Sequence, residues 1–134
     1  NNESALVRVP VPKKGKESST RIEFRSPDPA TNPYLAFSVM LAAGLRGIEK
    51  HYQLPPEATN NIYEMTPEER LAEGIGSLPQ SLAEAIAVME DSELVAEALG
   101  EHVFDYFIRN KRREWSDYKL QVTPWELERY LGTL

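Results

Sequence analysis

Cysteine is absent from the 134 residues of this sequence, and histidine occurs only twice, at His51 and His102. The first absence removes any disulfide framework or thiolate metal site and fits a reducing, cytoplasmic setting. The second argues against zinc, because two isolated imidazoles do not supply a tetrahedral ligand set. Both histidines are read as helix-surface residues. Long apolar runs are missing as well. The longest uncharged stretch, Tyr34 to Leu45, falls short of the roughly 20 residues that cross a bilayer, and Arg46 closes it. A signal-peptide layout is also lacking, so no membrane partner is expected. The chain opens with Asn1-Asn2-Glu3-Ser4, close to a strand-like run, as a piece cut from a longer chain would. Positive charge is in deficit: 15 basic against 21 acidic residues give −6, with a pI near 5.0. That balance speaks against general nucleic-acid binding.

What is present suits a globular chain. Apolar residues make up 41% and charged residues 27%, which excludes collagen, a coiled-coil rod and wholesale disorder. The length allows one domain with one hydrophobic core. Charge is unevenly spread. Residues 1–25 and residues 109–119 each carry a surplus of +3, so the rest of the chain is strongly acidic. Two basic segments in an acidic chain point to local anion contacts. For 109–119 the favoured reading is ordinary solvated surface charge.

Residues Ala5 to Val9 alternate weakly and stop at Pro10, the pattern of a short strand. Pro10 to Ser19 reads as a loop. Arg21-Ile22-Glu23-Phe24-Arg25 follows as a second strand, ended by Ser26-Pro27-Asp28-Pro29. Alternation puts Ile22 and Phe24 toward a core and lines Arg21, Glu23 and Arg25 along the opposite face. Asn32-Pro33 has the residues of a helix start, and the helix runs to about Lys50. Its first part is apolar almost all round, which predicts burial on most sides by more material than this chain offers. Residues 51–80 are irregular apart from a helical turn at Thr66 to Glu73. Ser81 with Glu84 makes a capping-box pattern, Ser92 opens a short helix that Gly100 ends, and Thr123-Pro124-Trp125-Glu126 starts a terminal helix to about Leu131. Between them, Val103, Phe104, Phe107, Ile108, Trp115 and Tyr118 share one helix face. The fold class is α+β: two short strands within residues 5–26 and about five helices from residue 32 onward.

Three charged side chains on one strand face have a chemistry of their own. A carboxylate held between guanidiniums is ionised and acceptor-only, and it can ligate a hard cation such as Mg²⁺ or Mn²⁺. Arginines beside it grip carboxylate or phosphate oxygens in two-pronged fashion. Arg8, on the preceding strand, adds a further cation. An exposed edge strand has the same pattern, so the spacing alone leaves both readings open.

Three strings carry a resemblance: NESALVRVP from Asn2 to Pro10, RIEFRSPDPATNPYL from Arg21 to Leu35, and the AFSVMLAAGLRGIE that follows. With Asn61-Ile62-Tyr63-Glu64-Met65-Thr66-Pro67-Glu68-Glu69 and the terminal helices, nearly the whole chain resembles the C-terminal part of a bacterial type I glutamine synthetase. R-x-E-x-R-x-P-D-P-x-x-N-P-Y is a long and specific pattern. The resemblance implies that residues 1–134 are a C-terminal fragment of the catalytic domain, with the upstream catalytic half and a smaller N-terminal domain lying outside. It implies an ATP-dependent ligase making glutamine from L-glutamate and ammonia through γ-glutamyl phosphate, with Mg²⁺ or Mn²⁺. By the same resemblance Glu23 is a metal ligand, Arg8 and Arg21 contact nucleotide phosphates, and Arg25 contacts glutamate. Lys16 lies where a further nucleotide-contacting lysine falls. The family assembles as a double hexameric ring, a homo-oligomer in which Trp125, Tyr130 and Leu134 would lie at contacts.

The sequence departs from the family at two places. The family usually reads Asn-Arg-Ser-Ala where this chain has Asn2-Glu3-Ser4-Ala5, so Glu3 reverses the charge of an arginine that contacts glutamate and the transferring phosphoryl group. Losing one such donor typically costs about 3–4 kcal/mol of transition-state stabilisation. Glu3 is therefore either a real difference in activity or a cut or engineered position, and no catalytic residue is assigned in this chain. Tyr63 falls where some relatives carry an adenylylated tyrosine, but Thr59-Asn60 replaces the usual residues before it. Two other readings stay open: a ligase joining glutamate to a larger amine such as a polyamine, and a non-catalytic assembly or regulatory relative. The 134 residues alone are expected to lack ligase activity, because one carboxylate cannot hold the cations that phosphoryl transfer needs.

Overall fold

The computed structural model describes residues 4–133, so Glu3 and Leu134 lie outside the described residues. The chain divides into two compact units, Asn1–Leu78 and Pro79–Leu134. The first begins with an antiparallel strand pair, β1 (Val7–Arg8) and β2 (Glu23–Phe24). Val7 faces Phe24 and Arg8 faces Glu23. The Arg25 N–H donates to the Leu6 carbonyl at 3.0 Å and extends the pairing by one bond. Both strands are shorter than their sequence pattern, because Pro10 and Ser26-Pro27 close the ladder on one side of each.

The connection between them is held by local bonds. Gly15 takes φ +80°, a conformation that glycine adopts without steric cost. Its N–H donates to Glu17 Oε1 at 3.0 Å. A 3-10 turn at Glu17–Ser19 follows. Beyond β2, the Ala30 N–H donates to Asp28 Oδ1 at 2.7 Å and the Asp28 N–H donates to Thr31 Oγ1 at 3.1 Å. Side-chain turns of this kind are what aspartate and threonine offer a chain that cannot continue a strand. They deliver the backbone to Asn32, which caps α1 (Pro33–Glu49) by accepting from the Tyr34 and Leu35 N–H groups at 3.0 and 3.3 Å. α1 ends in a Schellman motif. The Tyr52 N–H reaches the Gly47 carbonyl at 3.0 Å and the His51 N–H the Ile48 carbonyl at 3.2 Å. His51 occupies the left-handed position at φ +53°, where glycine is usual.

Two findings on burial bear on the sequence reading: α1 lacks the cover its composition calls for, and the expected core face of β2 is corrected. No residue of α1 is buried; Tyr34 is 82% and Ile48 72% exposed. Ile22, expected to face a core, is 67% exposed, and Phe24 is exposed too. The reason is the one that composition gives: a helix apolar all round needs neighbours on every side, and the first unit offers it none that bury it. Beyond α1, a 3-10 turn (Ile62–Glu64) and α2 (Pro67–Ala72) interrupt an irregular segment. Thr66 and Glu69 form a complete capping box on α2. Gly74, at φ +72°, ends it. One bond was not legible in the sequence: the Ile62 N–H donates to Ser4 Oγ at 2.9 Å, tying this segment to the residues ahead of β1.

The second unit is helical: α3 (Leu82–Glu90), α4 (Glu93–Leu99), α5 (Glu101–Lys119) and α6 (Pro124–Tyr130), then a 3-10 turn at Leu131–Thr133. Ser92 caps α4 and Gly100, at φ +73°, separates α4 from α5. Ser81 caps α3 by accepting from the Glu84 N–H. The reciprocal arm of the expected capping box lands one residue earlier, with Glu84 Oε2 accepting from the Gln80 N–H at 2.8 Å. Among the described residues the buried hydrophobic side chains are Ile86 on α3 and Ile108 on α5, at 7% and 6% exposure. Phe104, Phe107 and Trp115 line the half-buried face of α5 around Ile108, whereas Val103 and Tyr118 fall outside it and stay exposed. The single core expected from the length is therefore a small one.

The basic 109–119 segment is surface charge used locally. Lys111 pairs with Glu114 at 2.5 Å and Arg112 with Glu90 on α3 at 2.5 Å. Arg109, Lys111 and Lys119 lie over the rings of Tyr106, Phe107 and Trp115.

Candidate functional site

The strand pair brings three of the candidate side chains together. Opposed residues in an antiparallel pair hold their Cβ atoms about 4.5–5.5 Å apart, so the Arg8–Glu23 register makes these two direct neighbours. Arg8 Nη1 donates to Glu23 Oε2 at 2.6 Å. Arg21, two residues before Glu23 and so on the same face, donates from Nη2 to Oε1 at 3.1 Å. Both carboxylate oxygens therefore carry a guanidinium. The Arg8 and Glu23 side chains are partly buried, at 23% and 29% exposure, while Arg21 is 59% exposed. The Arg8 hydrogen bond, the largest influence, holds the Glu23 carboxyl below its usual range; partial burial pulls the other way, and the charges of Arg8 and Arg21 add smaller lowering contributions. The carboxylate is ionised.

Arg25 continues the same alternation through its backbone bond to Leu6, and the residue is exposed. Lys16 lies at the start of the 3-10 turn and is exposed; among the described ion pairs none joins it to Glu23. Tyr63 is exposed within its 3-10 turn, beside the Ser4 tether. The charge reversal at Glu3 lies outside the described residues.

A hard divalent cation takes six or more oxygen ligands. Among the described residues no group of three or more histidine, cysteine, aspartate or glutamate side chains gathers to hold one. Glu23 fits a single ligand position: ionised, strand-borne, and the one carboxylate among guanidiniums. His51 and His102 are exposed and take no part. Strand alternation sets Arg21, Glu23 and Arg25 on one face, whereas no local pattern encodes the register that sets Arg8 across from Glu23. Nor does periodicity mark Asp28 and Thr31, whose turn joins the charged strand to α1. Their signal was the Asp-Pro pair itself, which favours side-chain-to-backbone turns. Among the described residues no helix is long and apolar enough to cross a membrane.

The described residues thus set one carboxylate between two arginines on the short strand pair of an α+β chain, with a capped helix further along. Comparison with known proteins gives this chain its family. Residues 1–130 match the family model "Glutamine synthetase, catalytic domain", and the chain belongs to that family. It is 62% identical over 131 residues to a glutamine synthetase of Mycobacterium tuberculosis, 98% of this chain being covered. It is 52% identical over 134 residues to one from Methanosarcina mazei and 47% identical over 133 residues to one from Thermus thermophilus. The chain spans 29% of the length of each of these relatives and corresponds to a C-terminal part of them.

Proposed function

We propose that this chain forms part of an ATP-dependent carbon–nitrogen ligase that joins ammonia to the γ-carboxylate of L-glutamate through γ-glutamyl phosphate. In this reading Glu23 supplies one oxygen ligand to Mg²⁺ or Mn²⁺, Arg8 and Arg21 hold nucleotide phosphate oxygens, and Arg25 holds glutamate. The bound cation supplies charge neutralisation between the two anions that exchange a phosphoryl group. The chain's own residues contribute position. The ladder fixes Arg8 opposite Glu23, and Arg21 stands on the same face, so cationic groups are set in advance where negative charge must be accommodated. The exposed Trp125 and Tyr130 rings on α6, packed edge to face at 5.9 Å, give that helix an apolar surface suited to contact between subunits of a homo-oligomeric double ring.

The observation that carries the reading is the convergence of Arg8 and Arg21 on Glu23. Its test is Glu23→Gln in the full-length ligase, which keeps side-chain size and removes the charge. Mn²⁺ affinity should weaken, and turnover with ammonium, glutamate and ATP should fall about 10²–10³-fold. Unchanged Mn²⁺ affinity with wild-type turnover overturns the assignment of Glu23.

A further inference from the structure

We propose that the Ser4 hydroxyl is a latch between the 3-10 turn at Ile62–Glu64 and the β1–β2 pair, so that the two open together and displacing the turn loosens the ladder. The turn satisfies much of its own backbone. Asn61 Oδ1 accepts from the Tyr63 N–H at 3.2 Å, and the Asn61 carbonyl accepts from the Glu64 N–H at 3.1 Å. Asn61 Nδ2 also donates to Glu64 Oε1 at 2.8 Å. The first N–H groups of a helical turn have no partner within it, and the Ile62 N–H is the one that these local bonds leave over. Ser4 Oγ accepts it at 2.9 Å, across 58 residues of sequence, at a partly buried position. Stripped of its acceptor there, the amide would carry a desolvation cost, so the bond resists opening from either side.

On the strand side, only Ala5 separates Ser4 from Leu6, whose carbonyl accepts the Arg25 N–H at 3.0 Å. Two residues of chain span at most about 7 Å, so a pull on Ser4 reaches the Leu6–Arg25 bond with little slack. The strands are two residues each, and a lone strand pair is marginal without support beyond its ladder. On the other side the turn faces outward: Tyr63 is 83% exposed, and Glu64 is exposed. Residues 52–59, which lead into it, contain neither helix nor strand and give it no rigid backing. Asn60 Nδ2 donates to Glu73 Oε1 at the end of α2, at 3.1 Å, but that bond is between exposed side chains. Ser4 is thus the partly buried hold on the turn. By linkage, whatever steadies the turn steadies the strand pair by the same free energy, and the reverse.

The test is peptide-resolved hydrogen exchange on the full-length ligase without ligands, read at residues 59–65 for the turn and 22–27 for the strand pair. No readout calls on a cation or a substrate, so the result stands apart from the assignment of Glu23. Ser4→Ala should speed exchange about fivefold in both segments, and Ser4→Thr, which keeps the hydroxyl, should stay near wild type. Asn61→Ala, which dismantles the turn without touching the strands, should also speed both segments. Combined with Ser4→Ala it should add nothing at residues 22–27, because the path is already cut. If Ser4→Ala speeds only the turn, or Asn61→Ala reaches the strands equally with and without the hydroxyl, the two do not open together through Ser4. A rise shared by the α6 amides is general destabilisation. Each of these results overturns the latch, as does a Ser4→Ala protein that exchanges like wild type.

Discussion

At the scale of single residues, the proposed chemistry turns on one carboxylate. Glu23 is held below its ordinary value chiefly by the Arg8 hydrogen bond, which fixes the sign of its pH dependence. A carboxyl lowered on folding contributes stability that is fully present above the unfolded value, about 4.3, and is lost as pH falls through the lower folded value. The β1–β2 pairing should therefore hold unchanged through neutral pH and loosen only in acid, below the ordinary glutamate range. Carbon-13 NMR of the Glu23 side-chain carboxyl in the full-length protein checks this, with a midpoint below about 4.3 expected; in Arg8→Gln the midpoint should move upward. A midpoint that ignores Arg8 would show that the 2.6 Å contact does not govern the charge. The sequence revealed half of this arrangement. Arg21 and Glu23 share a face by alternation alone, a local fact. Arg8 joins them only through the register of a pairing across a 14-residue connection, and no periodicity encodes that.

At the scale of elements, legibility follows the range of the interaction. The starts of α1, α2, α4 and α6 were readable because Asn32, Thr66, Ser92 and Thr123 bond to N–H groups two or three residues away. Where the ends of an element depend on distant partners, the pattern misleads: β1 and β2 are two residues each, although their alternating sequence is longer. The two ends of α1 make opposite predictions. Asn32→Ala removes the acceptor for the Tyr34 and Leu35 amides and should cost about 1 kcal/mol, read as roughly fivefold faster hydrogen exchange at those two amides. His51→Gly removes a side chain from the left-handed position and should stabilise the helix end by up to about 1 kcal/mol, slowing exchange at the His51 and Tyr52 amides. If His51→Gly speeds exchange instead, the imidazole makes a contact that outweighs its backbone strain.

At the scale of the whole chain, the governing fact is apolar surface without cover. Tyr34, Phe37, Leu41, Leu45 and Ile48 on α1 all stand exposed, and so do Ile22 and Phe24 at the strand pair. Soluble monomers rarely leave contiguous apolar patches beyond a few hundred Å² uncovered, and a helix apolar on most sides belongs inside a larger core. The sequence announced α1 as an interior helix from composition; what it lacked was the partner. Under the proposed function, the remainder of the ligase covers this surface and brings the other cation ligands to Glu23. The 134 residues produced alone should then bind an apolar dye such as ANS, self-associate in sedimentation at micromolar concentration, and show no glutamine formation from ammonium, glutamate and Mg·ATP. Calorimetric titration with Mg·ATP should give weak binding or none, since one carboxylate fills one of six or more ligand positions. Adding back the remainder of the ligase as a separate polypeptide should quench dye binding and restore turnover together, because the surface that α1 buries and the site that Glu23 completes depend on the same association. A chain that stays monomeric, excludes the dye and binds Mg·ATP with micromolar affinity would mean that α1 finds its cover within these residues and that the strand pair is a site in its own right.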